Sequence, residues 1–114
     1  MEQTLYKDEQ MNDALNIFEK IEKWGEERNF YNPEHGTTSE KQFLKLSEEV
    51  GEIAADLARG INPIDSIGDV GVVLIGLARL NGLSFEKCLE YAYNEIKDRK
   101  GEMRNGVFVK EQDL

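Results

Sequence analysis

Ile67-Gly-Asp-Val-Gly-Val-Val-Leu-Ile-Gly-Leu-Ala78 is the most apolar stretch of the chain, and Asp69 sits inside it. The segment is apolar on nearly every face of a helix, which predicts a central helix buried all round. A lone carboxylate is out of place there. An unpaired buried charge costs several kcal/mol even after relaxation, so a charged Asp69 needs a cation or donors close by. Upstream lies a second acidic group, Glu48-Glu49-x-x-Glu52. The two groups read as one divalent-metal site built from two helices.

The rest of the chain is read outward from this third helix. Asn62-Pro63 supplies an N-cap and a first-turn proline, and Asn81-Gly82 a stop. Before it, Thr37-x-x-Glu40 has capping-box form and opens a second helix. That helix runs to about Arg59, is closed by Gly60, and carries the stripe Phe43, Leu46, Val50, Ile53, Ala54 and Leu57. A first helix spans roughly 8–28 on the stripe Met11, Ala14, Leu15, Phe18, Ile21 and Trp24. Asn29 to Thr38 is a loop broken by Asn32-Pro33 and His35-Gly36, and His35 takes no role. Ser84 caps a fourth helix striped by Phe85, Cys88, Leu89, Ala92 and Ile96, ending near Gly101. Asn105-Gly106 marks a turn, and Val107-Phe108-Val109 a short C-terminal extended tail. Short connections between four helices predict an all-α, four-helix antiparallel bundle in one domain, 1–114. Three partners hardly cover a third helix apolar all round, so oligomerisation through helix faces is expected.

The chain has 114 residues and a formal net charge of -9. That acidity argues against nucleic acid and against an anionic membrane surface as partners. It is compatible with a polyphosphate bridged by metal ions. Cys88 is the single cysteine, which rules out an internal disulfide, and it reads as a small packed hydrophobe. Residues 1–10 lack the basic start and apolar run of a signal peptide, and 67–78 is too short to span a bilayer. The expectation is a soluble, cytoplasmic protein.

Glu49 and Glu52 share a helix face, Glu48 lies one turn from Glu52, and Asp56 continues the row. On the next helix Asp65 and Asp69 are one turn apart. The turn at Gly60–Asn62 is about equally far from Glu52 and from Asp69, so an antiparallel hairpin puts the two sets at similar height. Crowded carboxylates repel unless a cation compensates. Hard oxygen donors suit Mg²⁺, or Mn²⁺, and the absence of nearby His or Cys argues against zinc. Alone, the glutamates would be a solvated face, and Asp65 a first-turn acid favoured by the helix dipole. Asp69 at matching height turns the reading to a metal site. Lys97 and Arg99 either complement the fourth helix's C-terminus or, with Asn94, reach substrate phosphates. Trp24 is either a core-edge tryptophan or a platform for a base.

Glu48-Glu49-x-x-Glu52, followed by a helix carrying Ile67-Gly68-Asp69-Val70, resembles the all-α nucleoside triphosphate pyrophosphohydrolases of the MazG-like family. The resemblance covers about residues 10–109. Asn94 to Gly101 and Asn105 to Val109 are similar to the fourth-helix end and tail of small single-domain members, including bacteriophage ones. It implies hydrolysis of a nucleoside triphosphate to the monophosphate and pyrophosphate, as nucleotide-pool housecleaning. On that resemblance Glu49, Glu52 and Asp69 hold Mg²⁺, Glu48 activates water, and Lys97 and Arg99 neutralise phosphate charge. The family's members are homodimers or homotetramers with sites near subunit interfaces. One position departs from the pattern: Ser66 stands where the family has the Glu of Glu-x-x-Asp. The nearest acid, Asp65, is rotated by about 100° on a helix. Either Asp65 is a shorter substitute ligand or one metal site is weakened. Two rivals stand beside this reading: a helical binding or adaptor module that has lost its chemistry, and a phosphoribosyl-ATP pyrophosphohydrolase.

Overall fold

The computed structural model describes residues 14–114. Among the described residues four helices follow one another: α1 (Ile17–Glu27), α2 (Ser39–Ala58), α3 (Ile64–Leu80) and α4 (Phe85–Ile96). Two strands, β1 (Gly101–Arg104) and β2 (Val107–Lys110), close the chain, and short 3-10 turns lie at Pro33–His35 and Glu111–Asp113. The chain is mostly helical, as its periodicity predicts, with a small antiparallel sheet added.

Helix α1 begins at Ile17, within the span that the apolar stripe marks out. Asn16 Oδ1 accepts from the Glu19 N–H at 2.8 Å, and Glu19 Oε1 accepts from the Asn16 N–H at 3.1 Å. This reciprocal capping box starts α1 afresh at Ile17. The part of the expected helix over 8–13, with Met11, lies outside the described residues. Helix α2 is capped one residue later than expected: Thr38 Oγ1, not Thr37, accepts from the Lys41 N–H at 3.1 Å.

The α2–α3 hairpin is held by local signals. Gly60 takes φ 68°, open to glycine at little cost, and lets the Ile61 N–H reach the Asp56 carbonyl at 2.9 Å. Asn62 Oδ1 then accepts from the Ile64 N–H at 3.1 Å, but the N-cap of α3 is Pro63, one residue later than expected. The α2–α3 packing is the most extensive between helices, and α3 also packs on α1 and α4.

Helix α3 is therefore central, but it is not buried all round. Val73, Ile75 and Ala78 are buried with Ser66 and Gly76. A fully buried Val or Ile contributes about 1.5–3 kcal/mol. Ile64 and Ile67, on the early turns, stay more than half exposed. On α2, Phe43, Val50 and Leu57 recur every seventh residue and are likewise half or more exposed.

The fourth helix does not return antiparallel to the third. The chain turns by 97° between α3 and α4. The turn is fixed by the Gly82 N–H on the Arg79 carbonyl at 3.1 Å and the Leu83 N–H on the Ala78 carbonyl at 2.9 Å. Helix α4 also stops at Ile96, short of Gly101. From there the backbone groups pair in a hairpin, Gly101 opposite Lys110 and Arg104 opposite Val107. Asn105 (φ 51°) and Gly106 (φ 81°) form its turn, of the type favoured in two-residue hairpin loops. The expected extended tail is β2 of this hairpin. No single helix among the described residues is long and apolar enough to cross a membrane.

Candidate metal centre and its cleft

The α2–α3 hairpin brings Glu49, Glu52 and Asp69 together: one carboxylate oxygen of each lies within 4.8 Å of the others. Glu49 faces the body of the molecule and is 6% exposed. Glu52, three residues on, is exposed, and Asp69 is half-buried. The matching heights read from the sequence are met in the fold.

The charges in this trio are not balanced. Lys45 Nζ approaches Glu49 Oε1 at 3.2 Å, while the buried Glu49 Oε2 has no hydrogen-bond partner among the described residues. A buried oxygen left unpaired is expensive. Loss of hydration, then the charges of Asp65 and Glu49, push the Asp69 carboxyl above its ordinary range. The Glu49 charge pushes Glu52 up as well. Glu49, with Glu48 adding, pushes the Lys45 ammonium upward. Three hard oxygen donors, one of them orphaned and nine-tenths buried, fit an oxygen-seeking divalent ion such as Mg²⁺ or Mn²⁺.

The neighbouring acids stand apart from the trio. Glu48 lies outside it, 70% exposed along its side chain, with its Oε2 at 3.5 Å from Lys45 Nζ. Asp65 is exposed at the start of α3; its charge is felt at Asp69, but its carboxylate does not join the cluster. Ser66 is 4% exposed and its hydroxyl donates to the Pro63 carbonyl at 3.2 Å. Position 66 thus points into the protein and is already committed.

Glu49 and Asp69 help to line a cleft of about 480 Å³. Trp24, Phe30 and Tyr31 line its aromatic part, and Thr37, Gln42 and Lys45 its polar part. Trp24 and Phe30 meet edge to face, centroids 5.0 Å apart, with the Arg28 guanidinium 4.5 Å over the Trp24 ring. Tyr31 is held from behind: Arg79 lies 5.7 Å from its ring centroid and pairs with Glu22 at 3.6 Å and with Glu26. Burial, with the Glu22 charge adding and Arg79 opposing, raises the Tyr31 phenol above its usual range.

Of the expected substrate residues, Trp24 lines this cleft. Asn94, Lys97 and Arg99 do not; they are exposed at the end of α4 and just beyond it. Lys45, Gln42, Phe30, Tyr31 and Thr37 were not anticipated from the sequence. Lys45 carried a readable signal, standing one turn before Glu49 on the same face. The loop aromatics carried none, because their place depends on how the loop packs on α3.

No family model matches the chain, and no solved structure matches it significantly. Over 73 residues it is 40% identical to an uncharacterized 18.2 kDa protein in the rep-hol intergenic region of Haemophilus phage HP1 (strain HP1c1). The match takes in 62% of this chain and 43% of that protein, so the chain spans less than half the length of the relative it matches. No activity comes with that likeness.

Proposed function

We propose that this chain is a Mg²⁺-dependent nucleoside triphosphate pyrophosphohydrolase of the MazG-like kind, clearing an NTP or dNTP to the monophosphate and pyrophosphate. The observation that carries the reading is Glu49. It is buried, has one oxygen without a partner, faces Glu52 and Asp69, and helps to line a cleft with an aromatic wall. Glu49, Glu52 and Asp69 would hold Mg²⁺, with Mn²⁺ as a substitute. Bound there, the ion supplies neutralisation of phosphate charge.

The chain's own residues divide the remaining work. Trp24 and Phe30 offer rings against which a nucleobase stacks. Gln42, on the same cleft, offers both a donor and an acceptor to a base edge. Glu48, hydrated and outside the trio, accepts a proton from the attacking water. Lys97 and Arg99 sit away from this chain's own cleft, so their role on phosphate is assigned across a subunit boundary.

Self-association is part of the proposal. The seven-residue row Phe43, Val50 and Leu57 on α2 is spaced like a helix-pairing seam, and Ile64 and Ile67 extend the apolar surface onto α3. Two α2–α3 hairpins from two copies, packed through these faces, make the four-helix bundle that one chain lacks.

A panel of NTPs and dNTPs, assayed for pyrophosphate release with and without Mg²⁺, tests the reading. The expected result is metal-dependent release from at least one nucleotide. Failure with every nucleotide leaves a second reading, a helical binding or adaptor module without chemistry. Ser66, buried and bonded to Pro63, favours that second reading, because it removes a carboxylate from beside Asp69.

A further inference from the structure

We infer that Lys45 is an exchangeable counter-ion of the carboxylate trio: its ammonium stands against Glu49 when no metal is bound and moves to a substrate phosphate when the metal takes its place. The inference rests on the metal-centre reading above and adds a residue to it. Lys45 Nζ touches two carboxylates at once, Glu49 at 3.2 Å and Glu48 at 3.5 Å. Its side chain is 54% exposed while that of Glu49 is 9% exposed, so the ammonium is the partner free to move. One positive charge does not balance Glu49, Glu52 and Asp69, and it leaves Glu49 Oε2 unpaired. A divalent ion answers more of that charge and competes with the ammonium for the same glutamate.

Displacement leaves Lys45 well placed. It lines the cleft together with Glu49 and Asp69 on one hand and Trp24 and Phe30 on the other. A nucleotide with its base on the aromatic wall and its phosphates toward the carboxylates shares this cleft with Lys45, whose ammonium already stands 3.2 Å from Glu49. A flexible stem and three rotatable donors let one ammonium serve either partner. Metal and nucleotide then promote each other's binding through Lys45, and the coupling is reciprocal.

The test is Mn²⁺ binding, followed by the paramagnetic signal of free Mn²⁺, in wild type, Lys45→Met and Lys41→Met. Lys41 lies one turn earlier on α2, and its ammonium donates to the Gly36 carbonyl at 2.9 Å. It removes the same net charge without touching the trio. Without nucleotide, Lys45→Met binds Mn²⁺ about two- to fivefold more tightly, the worth of a partly exposed ion pair. With a non-hydrolysable triphosphate analogue, Mn²⁺ binding tightens less in Lys45→Met than in wild type. Lys41→Met follows wild type in both measurements. Unchanged or weaker Mn²⁺ binding in Lys45→Met overturns the inference, as does an equal shift in Lys41→Met, which reduces it to net charge. Glu49→Gln separates this failure from failure of the metal centre. If it weakens Mn²⁺ binding while Lys45→Met does nothing, only the role of Lys45 falls. If wild type, Glu49→Gln and Lys45→Met all bind no Mn²⁺, the metal centre falls and Lys45 with it.

Discussion

At the residue scale, Asp69 and Glu52 are held in the metal-free protein against their own charge. Both carboxyls lie above their ordinary range, so the fold favours their protonated forms. The stabilising contribution of such a group is fully present below the ordinary carboxylate pKa and is lost as pH rises through the raised value. Asp69→Asn removes the charge for good. Without metal at pH 7 the variant is expected to melt above wild type, and the gap to close as pH falls below about 4. Metal reverses the order, because it binds the deprotonated oxygens. At ten times its dissociation constant Mg²⁺ adds about 1.4 kcal/mol to wild type, a rise of about 5 °C for a domain this size. The variant gains nothing comparable. Thermal melts of both proteins across pH, with and without Mg²⁺, check this; an order that never reverses removes Asp69 from the metal site. In the pyrophosphate assay Asp69→Asn should fall at least about 100-fold, the upper end for loss of a group that merely supports a ligand. Helicity by circular dichroism is expected to persist.

At the scale of elements, the α1–α3 seam depends on what two glycines leave empty. A Cβ on Gly76 would come within 3.3 Å of the Tyr31 ring, and one on Gly25 would run into the Tyr31 hydroxyl and ring. Tyr31 is a wedge between α1 and α3, held by Arg79 and the glutamates of α1. Gly25→Ala improves helix propensity yet overfills this seam, so it is expected to destabilise by about 1–3 kcal/mol. A melt that rises instead means that Tyr31 moves aside freely. The seam also shows where sequence reading stops. The α2–α3 hairpin was legible because Gly60 and Asn62-Pro63 are local signals, and counting residues from that turn placed Glu52 level with Asp69. The box Asn16-x-x-Glu19 was equally local, but the apolar stripe ran through it and masked the break. Phe30, Tyr31 and the 97° turn before α4 were not legible. The loop aromatics are placed by packing between segments distant in sequence, and a lone one has no periodicity to betray its partner; Asn81-Gly82 marked the break before α4 but not its angle.

At the scale of the whole molecule, the proposed self-association rests on the apolar surface that the described residues leave open. Val73, Ile75 and Ala78 are their buried apolar side chains, against the open rows of Phe43, Val50 and Leu57 and of Ile64 and Ile67. Sedimentation is expected to give at least twice the 13.0 kDa of one chain. Val50→Glu is expected to yield monomer or loss of fold, since charge on a pairing seam is costly. Monomeric, folded and active wild-type protein would remove the assembly. Assembly also decides whose cations serve which cleft. Asp69→Asn and the double variant Lys97→Ala/Arg99→Ala are each expected to be weakly active alone. If Lys97 and Arg99 reach across a two-fold interface, unfolding and refolding the two together makes mixed dimers. In each, one cleft draws Asp69 from one subunit and both cations from its partner. Random pairing then restores about a quarter of wild-type activity, half the dimers being mixed with one good cleft of two. Cations acting within their own chain would give no recovery on mixing, because every cleft would then carry one of the two defects.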